Sequence, residues 1–149
     1  MIHPVQILLV EDNRMDVELT LDAFEQVHLA NQIYVAENGQ QALDYLFGRE
    51  QYADRKQYLL PDLVLLDLKL PGIDGHEVLR QIKGEPGLKR LPVIILTSSR
   101  EEGDLALSYD QGANSYLVKP VSFDDFMKVV NQVASYWLTL NVSPPNGVD

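Results

Sequence analysis

Pro61-Asp62-Leu63-Val64-Leu65-Leu66-Asp67 is a short, almost wholly apolar run that ends on an acid. Seven residues are too few for a buried helix, and the absence of alternation means that neither face meets water. That pattern belongs to a central strand of a parallel sheet covered on both sides. Four more runs have the same character: Gln6 to Val10, Ile33 to Ala36, Pro92 to Thr97 and Ser115 to Pro120.

Between these runs lie segments with helical spacing. Val17, Leu21, Phe24 and His28 fall on one face of a helix from Arg14 to about His28, and Ala42, Leu43 and Leu46 on one from Gly39 to Phe47. Asp74 followed by Glu77 is a capping box that opens a third helix with Val78, Leu79 and Ile82 inward, ended by Lys83 to Gly87. A short, weakly patterned helix from Gly103 to Gln111 stops at Gly112, and Ser122 with Asp125 starts a last one running to about Leu140. The polar stretch Gly48 to Tyr58 reads as a surface elaboration. Five strand-helix units predict an α/β fold, a doubly wound five-stranded parallel sheet with helices on both faces, over residues 1–140, with a tail at 141–149 rich in chain breakers.

Composition agrees with one ordinary core. The chain has 149 residues, 46% of them hydrophobic and 23% charged. A net charge of -10 argues against nucleic acid as a partner, because that affinity rests on many cations meeting phosphates. No cysteine is present, so disulfides, thiol nucleophiles and cysteine-built zinc sites are excluded, in keeping with a reducing compartment. No run of 18 apolar residues and no basic-then-apolar start is found, which leads to the expectation of a soluble, cytoplasmic protein with no membrane partner.

In a doubly wound sheet, ligands bind beyond the carboxyl ends of the strands. Those ends carry Glu11-Asp12, Asp67, Thr97 and Lys119. Singly, Asp12 suits a helix N-cap, Thr97 a capping hydroxyl and Lys119 a solvated surface charge. Together they would gather three carboxylates, a hydroxyl and an ammonium, a set that suits a hard cation of the Mg²⁺ kind with oxygen ligands and a phosphoryl oxygen. Neither GxGxxG, nor a P-loop, nor a GxSxG elbow occurs, and His3, His28 and His76 have no catalytic or metal-binding spacing.

Over about residues 5 to 140 the chain resembles the receiver domain of bacterial two-component response regulators, which has a flavodoxin-like fold. The resemblance rests on Glu11-Asp12, on Asp67 within Leu63 to Gly72, on Thr97-Ser98 and on Lys119-Pro120, at separations of 30 and 22 residues, with Tyr116 three before the lysine. It implies Asp67 as phospho-acceptor, with Asp12, Asp67 and the Lys69 backbone carbonyl holding Mg²⁺ and Glu11 acting through metal-bound water. Thr97 and Lys119 would bind the phosphoryl group. Tyr116 would turn inward as Thr97 moves, small Ser98 would leave the donor room, and Lys119-Pro120 would be cis. Lys69 occupies a position that tunes acyl-phosphate lifetime in receivers.

The 48–58 stretch together with the run Leu59 to Leu68 makes the chain similar to stand-alone regulators paired with phytochrome histidine kinases, so a sensor histidine kinase is the implied partner. No helix-turn-helix follows Leu140. On the last helix Phe123, Phe126, Met127, Val130, Val133 and Trp137 form the stripe expected on the sheet. Val129, Tyr136 and Leu140 widen it, pointing to a homodimer through helix 4, strand 5 and helix 5. An aspartate-nucleophile phosphatase of the haloacid dehalogenase type would need an acid where Lys69 stands, and a pseudo-receiver would lack an acceptor or metal carboxylate.

Overall fold

The computed structural model describes residues 4–26, 31–140 and 144. Strands β1 (Val5–Val10), β2 (Asn31–Ala36), β3 (Leu63–Leu66), β4 (Val93–Thr97) and β5 (Ser115–Val118) alternate with helices α1 (Arg14–Gln26), α2 (Gly39–Phe47), α3 (Gly75–Gly84), α4 (Glu102–Asp110) and α5 (Phe123–Ser135). All strand pairs are parallel, in the order β2-β1-β3-β4-β5. The order reverses between β1 and β3, so the ends of these two strands flank the crevice in which doubly wound sheets bind ligands.

Strand side chains divide by parity between two cores. Leu8, Val10, Val64, Leu66, Val93 and Ile95 face α2 and α3. Ile7, Leu9, Leu63, Leu65, Ile94 and Leu96 face α1 and α5. Register preserves the division, Leu8 lying beside Val64 and Val64 beside Val93, so a slip by one residue would exchange the faces. That is why the central runs read as continuously apolar.

The helix starts are built as the capping residues dictate. Asp74 accepts from the Glu77 amide, Ser122 from the Asp125 amide, and Asn38 from the Gln41 amide. Gly48 closes α2 at φ 66, a left-handed conformation costly for other residues.

Several expectations change. The inner face of α1 runs through Leu19, Ala23 and Phe24, with Val17 and Leu21 at its margin, and His28 lies outside the described residues. Residues 48–58 are more than a surface elaboration. A 3-10 turn at Glu50–Tyr52 drops Tyr52 into the core at 3% exposure, where its ring meets Tyr34, Tyr45 and Tyr58. The Tyr52 hydroxyl pairs with that of Tyr34 and accepts from Gln41.

Phe123 is 58% exposed instead of packed on the sheet. It directly follows the Ser122 cap, before the helix has turned over the core, and the buried row begins at Phe126 and continues through Val130 and Ala134. Val129 packs partly against the core, Tyr136 stays half exposed in a final π-type turn (Tyr136–Leu140), and the Leu140 side chain lies outside the described residues. Lys119-Pro120 is trans, as is every described peptide bond. The strand already aims Lys119 at the carboxylates, so no cis bond is required to turn it.

Candidate functional site

Three backbone hydrogen bonds extend the sheet beyond its regular strands and fix the site residues. The Glu11 amide donates to the Ala36 carbonyl (3.0 Å), the Asp67 amide to Val10 (3.1 Å) and the Lys119 amide to Thr97 (2.7 Å). Residues separated by up to 108 positions therefore share one edge.

Lys119 is at the centre. Its side chain is 8% exposed, and its ammonium donates to Glu11 Oε1 at 2.5 Å, Asp16 Oδ2 at 2.8 Å and Asp67 Oδ2 at 3.0 Å. Burial works against the charge on Lys119, but the bonds from Asp16 and Glu11 and the charges of Glu11 and Asp67 outweigh it and hold the group protonated well above its usual range. Lys119 is thus no solvated surface charge.

Glu11 and Asp67 are buried, at 3% and 7%, while Asp12 is exposed. Each offers an oxygen within 4.8 Å of the other two. The N-cap of α1 is Asn13, whose side chain accepts from the Asp16 amide at 3.0 Å, so Asp12 is spared that duty. The Asn13 amide holds Glu11 Oε2 at 3.1 Å and the Lys69 amide holds Asp67 Oδ1 at 3.2 Å.

With Asp16 there are four carboxylates against one ammonium, an imbalance that suits a hard divalent cation with oxygen ligands. Burial pushes Glu11 up to about 7 despite the Lys119 bond. A cation held with the help of ionised Glu11 must displace that proton, so divalent-ion affinity should rise by up to about tenfold per pH unit below 7 and level off above it. Calorimetric titration of Mg²⁺ or Mn²⁺ across this range checks it; a flat profile would show that Glu11 takes no part.

Thr97 is fully buried, its hydroxyl oxygen accepting from the Ser99 amide at 3.4 Å, and Ser98 beside it is exposed. Tyr116 is half-buried, with its hydroxyl on the Ser99 carbonyl at 3.1 Å. Its ring packs partly against the core beneath α2 and α3, inward of the surface. Among the described residues no helix is long and apolar enough to cross a membrane.

Two elements of the site were not anticipated. Asp16, the third partner of Lys119, had only the spacing Asn13-x-x-Asp16 as a signal, which any capped helix start would show. Gly75 packs against the backbone of Asp67 and Leu68, so closely that a Cβ would stand 2.6 Å from Leu68 Cα.

A parallel sheet of this order with buried acids at β1 and β3 and a lysine after β5 defines an α/β domain of the receiver type. Residues 7–131 match the model of the response regulator receiver domain, and the chain belongs to that family. It is 45% identical over 141 residues to the probable methanogenesis regulatory protein FilR2 of Methanothrix harundinacea, across 95% of this chain and 88% of that one. The structure of the Mn²⁺-bound response regulator Rcp1 superposes with a TM-score of 0.90 at 37% identity, covering 95% of this chain and 99% of that one. The bacteriophytochrome response regulator AtBRR is 48% identical, with a TM-score of 0.72 over 95% of this chain and all of that one.

Proposed function

We propose that the chain accepts a phosphoryl group on Asp67 from a sensor histidine kinase, in a Mg²⁺-dependent reaction, and signals by a change of surface. The observation that carries this is the contact of one buried ammonium, Lys119, with both Asp67 and Glu11, while Asp12 stands within reach of both carboxylates.

An Asp67 oxygen attacks the phosphorus of a phosphohistidine. The P–N bond breaks, its electron pair stays on the imidazole, and an acyl phosphate forms. Such a transfer depends on placement and charge neutralisation more than on proton chemistry. Mg²⁺, held by Asp12, Asp67 and the Lys69 carbonyl with Glu11 reaching it through water, would supply part of that neutralisation. Lys119 supplies the rest from the protein and, with the Thr97 hydroxyl, binds the new phosphoryl oxygens. As Thr97 is drawn towards the phosphoryl oxygens, the Ser99 segment that holds the Tyr116 hydroxyl moves with it and couples the site to α4, β5 and α5.

The donor must reach the pocket, so its contacts lie on the rim. Met15 is 62% exposed beside Asp16, and Val121 and Phe123 are 101% and 58% exposed just after Lys119. This apolar rim favours contact with a protein donor. A phytochrome-type kinase is the partner suggested by the bacteriophytochrome response regulator AtBRR.

The domain spans residues 1–140, and cytoplasmic placement fits a kinase-facing switch without cysteine. Leu105 and Tyr109 on α4 and Tyr136 beyond α5 are 40–50% exposed, which supports a homodimer through α4, β5 and α5. Sedimentation should show self-association that strengthens with a phosphoryl mimic; a monomer at high concentration under both conditions would end the dimer proposal.

Acetyl phosphate with Mg²⁺ should add one phosphoryl mass to the wild type and none to Asp67→Asn, and chelation should suppress the adduct. An equal adduct on the variant, or none on the wild type, would overturn the assignment of Asp67.

A further inference from the structure

Helix α4 is weakly held. Only Ser108 of its nine residues is buried, Leu105, Leu107 and Tyr109 lie 40–50% exposed, and Glu101 at its N-cap makes no side-chain capping bond. Three buried side-chain atoms lack a partner among the described residues: Ser108 Oγ, Gln111 Oε1 and His76 Nδ1. The first two sit on or just after this helix, and His76 touches it through Asp104.

Against that looseness stands one concentrated tie. The Asp104 carboxylate, 16% exposed, accepts from Ser99 Oγ at 2.5 Å and meets His76 Nε2 at 2.8 Å, with the Lys69 ammonium at 3.4 Å. Each carboxylate oxygen of Asp104 thus has a close partner on a different element, Ser99 after β4 and His76 on α3. Lys69 is largely exposed and contributes little, whereas His76 is as buried as Asp104 and anchors it to the start of α3.

Ser99 is the residue through which this tie reaches the phosphoryl site. Its amide donates to Thr97 Oγ1 and its carbonyl accepts the Tyr116 hydroxyl. With Ser99 so placed, Thr97 Oγ1 already has a donor, and its own proton is left to give to a phosphoryl oxygen. The same placement keeps the Tyr116 ring inward. Asp104 holds the Ser99 side chain and through it restrains the Ser99 backbone; released from that tie, the backbone segment could shift and relax both bonds.

We infer that Asp104 is a positioning residue for the phosphoryl site, fixing through Ser99 the Thr97 hydroxyl as a donor and the Tyr116 ring in its inward place. The inference rests on the phospho-acceptor proposal for its consequence, though not for the geometry. The competing role is that of an ordinary first-turn acid favouring the α4 dipole, which Glu102 shares.

Fluorotyrosine labelling, with the Tyr116 resonance assigned by Tyr116→Phe, separates the two. In Asp104→Ala without any phosphoryl mimic, the Tyr116 resonance should shift, and beryllofluoride affinity should fall about tenfold, a change of about 1.4 kcal/mol. Ser99→Ala should reproduce both effects, and it carries the same readouts should Asp104→Ala not fold. Glu102→Gln should leave both unchanged. An unmoved Tyr116 resonance in the Asp104 and Ser99 variants, or an equal response to Glu102→Gln, overturns the inference. A wild type that binds no beryllofluoride would instead overturn the phospho-acceptor proposal, with the resonance still deciding the role of Asp104.

Discussion

Lys119→Met is expected to reduce the rate of phosphorylation by small phosphodonors on the order of 10²-fold, the scale for removing one preorganised charge-stabilising donor. Methionine keeps much of the stem and removes the charge. Glu11, Asp16 and Asp67 are then left facing one another with no protein cation between them. Breaking a buried ion pair from one side costs about 3–5 kcal/mol, less whatever proton uptake by Glu11 recovers. The pH dependence has a definite sign. Glu11 is raised from 4.5 in the unfolded chain to about 7 in the fold, so its contribution is fully present below 4.5 and is lost as pH rises through 7. Without the ammonium that loss is larger, so the variant's deficit against wild type should grow from about pH 5 to about pH 8. Divalent cation should narrow the gap, since a ligand that binds only the folded state stabilises it. Denaturant unfolding at both pH values, with Mg²⁺ and with chelator, measures this; a deficit that shrinks towards alkaline pH would contradict the charge balance described here.

What was legible in the chain follows from where the information lies. Strand runs such as Leu63 to Leu66 are buried on both faces, so their identity is local, and the alternation of strands with helices then dictates the parallel sheet. The candidate site was legible for a related reason: the edge is common to all five strands, so terminal residues converge whatever the loops do. Asp12 escaped its capping interpretation only because the next residue, Asn13, took the cap. What stayed hidden depends on contacts between distant positions that leave no periodic trace. Tyr52 enters the core through a turn in a polar stretch, and Asp104 joins His76 across 28 residues. Phe123 looked inward because spacing counts residues but does not say at which residue the helix meets the sheet. The site's electrostatics were half legible: the acids were counted, but Asp16 as a third partner of Lys119 depends on how α1 leaves β1.

Gly75→Ala is expected to cost both folding stability and phosphorylation, through packing instead of charge. In most helices alanine is favoured over glycine by up to about 1 kcal/mol. Gly84, at the far end of the same helix and with open space where a Cβ would be, should show that ordinary gain. At Gly75 the added carbon would collide with the Asp67 carbonyl oxygen and stand 2.6 Å from Leu68 Cα and 3.1 Å from the Asp67 carbonyl carbon. All three are backbone atoms of a segment already fixed by the Asp67 amide on Val10 and the Gly75 amide on Leu68. No flexible side chain can yield, so the start of α3 and the Asp67 loop must separate. Overpacking of this kind costs about 3 kcal/mol, opposite in sign to the effect at Gly84. The displaced segment carries Asp67, and a shift of about 1 Å in a reacting group is enough for a 10²-fold loss of rate. Gly75→Ala should therefore lose both stability in urea and the ability to form the acyl phosphate, while Gly84→Ala keeps the second and gains slightly in the first. A Gly75→Ala protein as stable and as readily phosphorylated as wild type would mean that the close approach of α3 to Asp67 neither strains the fold nor places the acceptor.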